Sequence, residues 1–333
     1  MLRSIELKQE KGAVLALVGI SLFALISFFA LAVDLGHIFV TRTELQNTAD
    51  SAALAAVSEI WNGIGVARQK AIDFGEAHQV AGEPIIVVPD DVVFGHYHLS
   101  TGQFTSSGTP TNAVEVRSRR TNQSPSGPLE LFFARMFGQD FTNVQAISRA
   151  VLDPRVVGVH GKNRLLPYTV INFIVDQDLD GKYDLGRVIN IHPRNDAPGN
   201  FGFLDLDKGS NDVPELREYI ENGYDKDFVI PPGGSVPVSG STGIDGNSLL
   251  NSFKVIEGEI VFLPVHNQVA FQGDNAIFNV ISLLAVVVED VKLVGNIDKR
   301  YIKVKLINFA SSVLVVDPNA PENNSVAKPR LVL

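Results

Sequence analysis

The sequence predicts an α+β protein: a long N-terminal transmembrane and amphipathic helix, then a small α+β domain, then a mainly antiparallel β domain. Three observations predict this fold class. An uncharged apolar run fills residues 13–33, an Ala-rich stretch without Gly or Pro covers 38–60, and short apolar runs separated by Gly, Pro and Asn occupy the chain from 165 onward. A run of ~20 apolar residues matches the bilayer core, and turn-separated apolar runs are typical of antiparallel strands.

The charges flanking the apolar run predict its orientation. Arg3, Lys8 and Lys11 precede the run, whereas the 20 residues after it contain only Arg42. Because cytoplasmic flanks collect Lys and Arg, we expect a cytoplasmic N-terminus and an exported body. The predicted division is a cytoplasmic N-terminus at 1–12, a transmembrane helix at 13–33, a helix-plus-sheet domain at 34–153 and a mainly β domain at 165–333.

Two other interpretations of the apolar run are open. A buried core helix is rarely apolar on all sides for so long. A cleaved signal peptide has a small-x-small site available at Ala30-Leu31-Ala32, but the run exceeds the usual apolar region of ~7–15 residues. Helical pattern also continues past that site. The sequence therefore favours an uncleaved anchor.

Composition narrows the class of function. The net charge is −9 and the longest Lys/Arg run is Arg119-Arg120, which argues against a nucleic-acid partner. The chain has no cysteine, so disulfides, zinc–thiolate sites and a Cys nucleophile are excluded. The sequence has no G-x-S-x-G, H-E-x-x-H, Walker or dinucleotide-binding glycine pattern. We therefore expect neither an enzyme nor a small-molecule substrate.

Periodicity defines the elements of the domain at 34–153. Apolar residues at three- and four-residue spacing predict a second helix over 66–80, and Val114 and Val116 alternate with charged residues as in a half-buried strand. A short apolar helix is expected at 131–138. The predicted strands are 85–89, 91–99, 112–120 and 143–152.

The sequence from 165 onward predicts short strands and one inserted helix. Residues 166–175 and 252–265 are predicted strands, and 275–290 is predicted to be a strand buried on both faces rather than a second span. The helix is expected at 213–222, with Asp212 as N-cap, Glu215 in an approximate capping box and Gly223 as C-cap. The Gly/Ser-rich segment 233–243 predicts a flexible exposed loop. We expect a β-sandwich.

The sharpest chemical motif is an acidic loop at residues 176–184. Carboxylates at its first, third and fifth positions can converge on one hard cation, a Gly at the sixth permits a sharp turn, the seventh offers its carbonyl, and the ninth ligates directly or through water. The loop therefore predicts a structural calcium site, although its twelfth position is Arg187 instead of a bidentate Glu. The predicted ligands are Asp176, Asp178, Asp180, Lys182 and Asp184.

Other interpretations of these polar residues are simpler. Asp and Gly are good turn formers, so the acidic loop could be a plain turn; four carboxylates within nine residues nevertheless repel one another without a counter-ion. His96 and His98 share one face of a predicted strand and could form half of a metal site. Without a third ligand at useful spacing, we interpret them as surface or cross-strand histidines.

The N-terminal part of the chain resembles a known bacterial family. The segment ALAVDLG at 30–36 and the segment LQNTADSAALAA at 45–56 are similar to those of the TadG/TadE-like proteins of Flp (Tad) pilus assembly. Weaker similarity continues through 66–80 and 131–138, and touches 199–206.

The resemblance implies a single-pass protein of the bacterial inner membrane with a periplasmic body. It implies a non-enzymatic role in a pilus or secretion machine, with other pilus-assembly or envelope proteins as partners. Some members of the family are processed like pseudopilins at a Gly followed at the fifth position by Glu. Here Gly12 is followed by five apolar residues, so we expect no such processing.

Small residues on the amphipathic part of the first helix suggest close helix packing, against its own domain or against a partner, including a second copy. The stripe they belong to consists of Leu35, Ile38, Leu45, Ala49, Ala52, Ala53 and Ala56. The leading hypothesis is a membrane-anchored component of a Tad/Flp apparatus. Its alternatives are a pilin-like filament subunit and a membrane-tethered calcium-dependent binding module or hydrolase.

Overall fold

The structure is a computed structural model of the chain. It describes residues 3–192, 202–207, 212–240, 246–271, 276–296 and 299–332, with no side-chain description for 3–13 and 246. The chain forms two compact units. The first comprises Met1–His98, Gln103–Ala150 and Leu331–Leu333, and the second comprises Leu99–Gly102 and Val151–Arg330.

The first unit begins with one unbroken helix, α1 (Arg3–Ser58), of 56 residues. It contains a stretch long and apolar enough to cross a membrane, and almost none of that stretch is buried. A core helix would be buried, so that interpretation is wrong. From Leu45 onward, α1 buries one face in its own unit. The sequence predicted one helix that is apolar at first and amphipathic afterwards, and this prediction is confirmed.

The rest of the first unit is a short helix and a small sheet. Its main strands lie in the order β8-β5-β3-β4, and β6 and β7 form a separate hairpin. The elements after α1 are α2 (Ile64–Glu76), β1 (Gln79–Val80), β2 (Glu83–Pro84), β3 (Val92–His98), β4 (Gln103–Ser106), β5 (Ala113–Arg120), β6 (Leu129–Glu130), β7 (Phe141–Thr142) and β8 (Val144–Asp153), with 3-10 turns at Ile60–Asn62, Pro89–Asp91 and Ala134–Phe137.

Three predictions for this unit need correction. The helix predicted over 66–80 ends at Glu76, because residues 79–84 form the tight β1–β2 hairpin around Ala81 and Gly82, which have φ values of 55° and 81°. Residues 85–88 belong to no strand, although Ile85 and Val87 are buried. The helix predicted at 131–138 is an exposed loop with a 3-10 turn.

The second unit is built on a large sheet of order β10-β14-β15-β16-β11, with β13 paired to β15, and a small sheet of order β12-β9-β18. Apart from β10–β14, the pairings described in both sheets are antiparallel. The elements are β9 (Val156–Val159), β10 (Val170–Ile171), α3 (Asn172–Val175), β11 (Val188–Ile191), α4 (Val213–Asn222), β12 (Phe228–Val229), β13 (Val236–Ser239), α5 (Gly246–Val255), β14 (Ile260–Ala270), β15 (Ile277–Lys292), β16 (Tyr301–Ile307), β17 (Phe309–Ala310), β18 (Leu314–Val316) and β19 (Val326–Val332).

Both faces of the large sheet are buried. On one face Val261 and Leu263 belong to a cluster with Leu216 of α4 and Phe253 of α5. On the other, Phe262 belongs to a cluster with residues of the small sheet. Since successive side chains of a strand point to opposite faces, helices cover one side and the small sheet covers the other. The predicted doubly buried strand at 275–290 corresponds to β15 and is confirmed over its described residues.

The helix predicted at 213–222 is confirmed to the residue as α4. The Asp212 carboxylate accepts a hydrogen bond from the Glu215 N–H at 3.0 Å, and Gly223 follows the helix with φ +88°. Glycine is needed there because an added Cβ would lie 2.2 Å from the Asn163 carbonyl oxygen. The predicted N-cap and C-cap therefore both act as expected.

Other predictions in the second unit are wrong in part. The strand predicted at 252–265 begins only at Ile260, and its first residues belong to α5. The strand predicted at 166–175 is reduced to β10 and a helical turn, α3. The predicted loop 233–243 contains β13, whose Val238 is buried. Residues 241–243 and 199–201, on which parts of the predictions fall, lie outside the described residues.

Candidate functional site

The end of the apolar part of α1 is marked by a buried carboxylate. Asp34 directly follows the predicted span and is only 4% exposed. Its two oxygens accept hydrogen bonds from three consecutive backbone N–H groups, those of Phe132 at 2.8 Å, Phe133 at 3.1 Å and Ala134 at 2.6 Å. Asp34 therefore caps the 3-10 turn Ala134–Phe137 and ties the loop between β6 and β7 to the helix.

These donors determine the charge state of Asp34. Burial alone would raise the pKa of its carboxyl, but the N–H groups of Phe132, Ala134 and Phe133 favour the carboxylate and lower the pKa below the ordinary value of 3.8. Asp34 is therefore ionised at neutral pH, with its charge stabilised by backbone dipoles. Asp34 directly follows the predicted span, but the sequence contains no signal for a partner 98 to 100 residues away.

The small residues of α1 pack inside the first unit. Ala49, Ala52, Ala53 and Ala56 are fully buried. Leu45 is buried in a cluster with residues of β1, β6 and β8 of the same unit. This part of the stripe is therefore intramolecular core. Leu35 remains 44% exposed, so the surface of α1 that is open to a neighbour lies before Leu45.

The structure brings together three of the predicted calcium ligands. Carboxylate oxygens of Asp176, Asp178 and Asp180 lie within 4.8 Å of one another. Gly181 follows with φ +83°, and its N–H donates to Asp176 Oδ2 at 3.2 Å. The Lys182 N–H donates to Asp180 Oδ1 at 2.8 Å. The left-handed turn that the motif requires at its sixth position is thus present.

Asp184 lies outside this group of three. Its carboxylate forms an ion pair with Arg187 and accepts a hydrogen bond from the Gln177 N–H at 3.2 Å. Arg187, at the twelfth position of the loop, therefore binds Asp184, at the ninth. Asp207, another acidic residue of this unit, binds Lys226 at 2.7 Å and is likewise engaged elsewhere.

One oxygen in the acidic loop lacks a partner. Asp176 is 3% exposed, and its buried Oδ1 has no hydrogen-bond partner. A buried carboxylate oxygen without a donor is costly, since desolvation is not compensated. A cation held between Asp176, Asp178 and Asp180 would supply the missing interaction, and hard oxygen ligands are those that calcium prefers.

A cleft of about 490 Å³ adjoins the acidic loop. Asp176 and Gly181 line it together with the amide side chains of Asn172, Asn323 and Asn324. Asn323 is mostly buried, and its amide nitrogen donates to a backbone carbonyl of β15 at 2.8 Å, so it also fastens the wall of the cleft. The cleft offers hydrogen-bonding groups to a polar ligand.

His96 and His98 lie on one face of β3, with ring centroids 4.4 Å apart. The His96 Nδ1 is 2.7 Å from the Pro110 carbonyl oxygen. Within the described part of the chain, they belong to no group of three potential metal ligands. The interpretation as cross-strand or surface histidines stays a prediction.

These features define a membrane-anchored α+β protein whose anchor helix continues into the core of its first unit. Comparison with protein families agrees with this class. A model described as Flp pilus-assembly TadE/G-like matches residues 12–59, and a model described as Tad-like Flp pilus-assembly matches residues 41–150. Through residues 12–150, which are less than half of its 333 residues, the chain is similar to the TadE/G-like family of Flp pilus-assembly proteins.

The matches cover α1 from the end of its charged flank and continue into β8. They confirm the family that the segments at 30–36 and 45–56 resemble. Comparisons with curated proteins and with solved structures gave no match.

Proposed function

We propose that this chain is a non-enzymatic scaffold of a Tad/Flp pilus-assembly apparatus in the bacterial inner membrane. Its N-terminus lies in the cytoplasm and both folded units lie in the periplasm, where they offer surfaces to other pilus or envelope proteins. The observation that carries the proposal is the continuity of α1. Its exposed apolar part and its buried Ala-rich part form one helix, so the anchor is rigidly joined to the first unit.

The orientation can be tested with single cysteines, because the chain has none of its own. Ser4→Cys and Gln123→Cys are each placed in the full chain, and intact spheroplasts are treated with a membrane-impermeant maleimide. We expect the Gln123→Cys variant to be labelled at once and the Ser4→Cys variant only after lysis. Labelling of the Ser4→Cys variant alone in intact spheroplasts would reverse the orientation.

The role can be tested by fractionation and mass spectrometry of the mature N-terminus. A membrane-bound protein with an intact N-terminus, together with loss of surface pili when its gene is deleted, supports the assembly component. A protein starting at Ala13 in sheared filaments would instead be a pilin-like subunit. A soluble protein starting at Val33 would mean that the apolar run is a cleaved signal peptide.

A structural calcium site is the second proposal. The buried, unpartnered Asp176 Oδ1 favours it, together with the approach of Asp178 and Asp180. These three carboxylates would ligate the ion, with the Lys182 carbonyl as a further ligand and Asp184 reached directly or through water. Because a basic residue occupies the position of the usual bidentate Glu, we expect an affinity in the range of ~10⁻⁴–10⁻³ M, as in extracellular modules.

Calorimetric titration of the chelator-treated full chain in detergent tests this site. We expect calcium binding that is lost in Asp176→Asn and Asp178→Asn but kept in Asp225→Asn, a matched charge change at an exposed residue of the same unit. About ten millimolar calcium would stabilise the second unit by about 1.4–2.7 kcal/mol for that affinity range. Equal heats in all four proteins would refute the site.

A further inference from the structure

The loop between β6 and β7 exposes an unusual amount of apolar surface. We call residues 131–141, which are this loop and the first residue of β7, the apolar loop. Five of its large apolar side chains are exposed, by 39% to 77%, within ten consecutive residues. They are Phe132, Phe133, Met136, Phe137 and Phe141. Exposed large apolar side chains concentrated in one loop mark a site of contact with a partner or a membrane.

The position of the apolar loop along α1 is fixed by Asp34. The carboxylate holds three backbone N–H groups of the loop, so the loop cannot slide along the helix without breaking these bonds. A groove of about 260 Å³ separates the loop from α1. Its helix side runs from Ser27 to Ile38 on one face, and its loop side includes Phe133 and Phe137.

This position lies beside the end of the predicted span. Ser27 precedes Asp34 by seven residues, which is about 10 Å along a helix. The apolar loop thus lies beside the last two turns of the predicted span, where Ala30 is buried while the neighbouring Leu31 and Val33 stay exposed. If α1 crosses the membrane, lipid and not water surrounds this level of the helix.

The loop carries two exposed charged residues, Arg135 and Asp140, which lie on either side of Met136 and Phe137 in the sequence. Arg135 is turned back onto its own hairpin, with Nε donating to the Leu131 carbonyl at 2.9 Å and the guanidinium 3.7 Å from Glu130. Asp34 is covered by backbone donors. Met136 and Phe137 therefore form an uncharged segment between the two charged residues, and apolar faces flanked by charged groups enter ~5–10 Å into the boundary between headgroups and acyl chains.

We propose that the apolar loop inserts into the bilayer leaflet from which α1 emerges, as a second membrane contact beside the anchor. A single helix can tilt and turn in the bilayer, whereas a helix with an inserted loop on one side has a preferred tilt and rotation. Because α1 is continuous with the first unit, this contact fixes which surface of that unit faces away from the membrane. The inference rests on the proposed membrane anchor.

Depth-dependent fluorescence quenching in lipid vesicles tests the inference. Phe137→Cys and Met136→Cys are made in the full chain, labelled with an environment-sensitive dye, and reconstituted in phosphatidylcholine–phosphatidylglycerol vesicles. Lipids carrying a nitroxide near the headgroup end of the acyl chain, or near its far end, serve as shallow and deep quenchers. Leu22→Cys in the middle of the span and Gln123→Cys in an exposed turn of the same unit serve as controls.

We expect strong loss of fluorescence at positions 136 and 137 with the shallow quencher, loss at position 22 mainly with the deep quencher, and none at position 123. Quenching of the label at position 22 without quenching at positions 136 and 137 would overturn the inference and would still support the membrane anchor. No quenching at position 22 would instead remove the anchor and with it the inference. Energy transfer between labels at position 137 of two copies, without lipid quenching, would overturn it by assigning the surface to a second copy.

Discussion

Removal of the Asp34 carboxylate should release the apolar loop from α1. In Asp34→Ala, the N–H groups of Phe132, Phe133 and Ala134 lose their acceptor. Hydrogen bonds to a charged group contribute ~1.5–3 kcal/mol each. Taking the lower value for the two short bonds, at 2.8 and 2.6 Å, and letting water replace the longer one gives a local cost of about 3 kcal/mol.

Hydrogen exchange of the full chain, followed by mass spectrometry of peptides, measures this cost directly. At 1.36 kcal/mol for each tenfold change, about 3 kcal/mol corresponds to exchange about 150-fold faster in the peptide covering 131–138. The peptide covering β5 should keep its protection. Asp140→Ala removes an exposed carboxylate from the same loop and should change neither peptide. A similar rate in wild type and Asp34→Ala would refute the reasoning.

The same bonds predict a pH dependence. The pKa of Asp34 is lower in the folded chain than its ordinary value of 3.8, so its stabilising contribution is fully present above that value. It is lost as the pH falls through the lowered pKa. Protection of 131–138 should therefore be constant from about pH 7 to about pH 5 and should fall below pH 3.8. Loss of protection near neutral pH would show that a histidine, not Asp34, holds the loop.

Three further changes test the packing of the second unit. His266 is fully buried, and burial lowers its pKa to about 4, so the free energy of unfolding should fall by about 3 kcal/mol from pH 6.5 to pH 4. His266→Gln should flatten this part of the plot of unfolding free energy, measured with denaturant, against pH. An unchanged slope would contradict the assignment of this pH dependence to His266. Arg155→Ala should cost ~1.5–3 kcal/mol in the same assay, because the buried Asp153 carboxylate would lose the Arg155 guanidinium at 2.7 Å but would keep Arg330 at 3.0 Å. A cost below about 1 kcal/mol would show that the pair behaves as a surface ion pair. Gly158→Ala should disrupt the pairing of β9 with β12, since the new Cβ would lie 2.0 Å from the Phe228 carbonyl oxygen. NMR chemical shifts of β9 and β12 that match those of the wild type would refute this prediction.

The elements that could be predicted from sequence are those with local signals. The apolar composition of α1, the caps of α4 and the largely apolar sequence of β15 each determine their element without reference to distant residues. The end of α5 shows the limit. Leu249 and Phe253 are spaced as on a helix, whereas Ile260 begins a continuous apolar run, and the boundary between the two elements lies inside the segment 252–265 that was predicted as one strand.

The features that could not be predicted depend on contacts between distant parts of the chain. The segment at 131–138 has the composition of a short apolar helix, but Asp34 caps its backbone and β6 and β7 close it into a hairpin loop. In the acidic loop, the motif placed Asp176, Asp178 and Asp180 together, and local spacing was sufficient for that. The motif gave no indication that Arg187, at the twelfth position, would bind Asp184, at the ninth.

The two candidate sites belong to different parts of the molecule, and this separates their tests. The family matches end at residue 150, so they include α1, Asp34 and the apolar loop but not the acidic loop at 176–184. An effect of Asp34→Ala on pilus assembly would therefore concern features within the matched region, whereas an effect of Asp176→Asn would concern the second unit alone. If Asp176→Asn abolished calcium binding and left pilus assembly intact, the calcium site would stabilise the second unit without being required by the apparatus. If both were lost, the second unit would itself have to present a surface on which assembly depends.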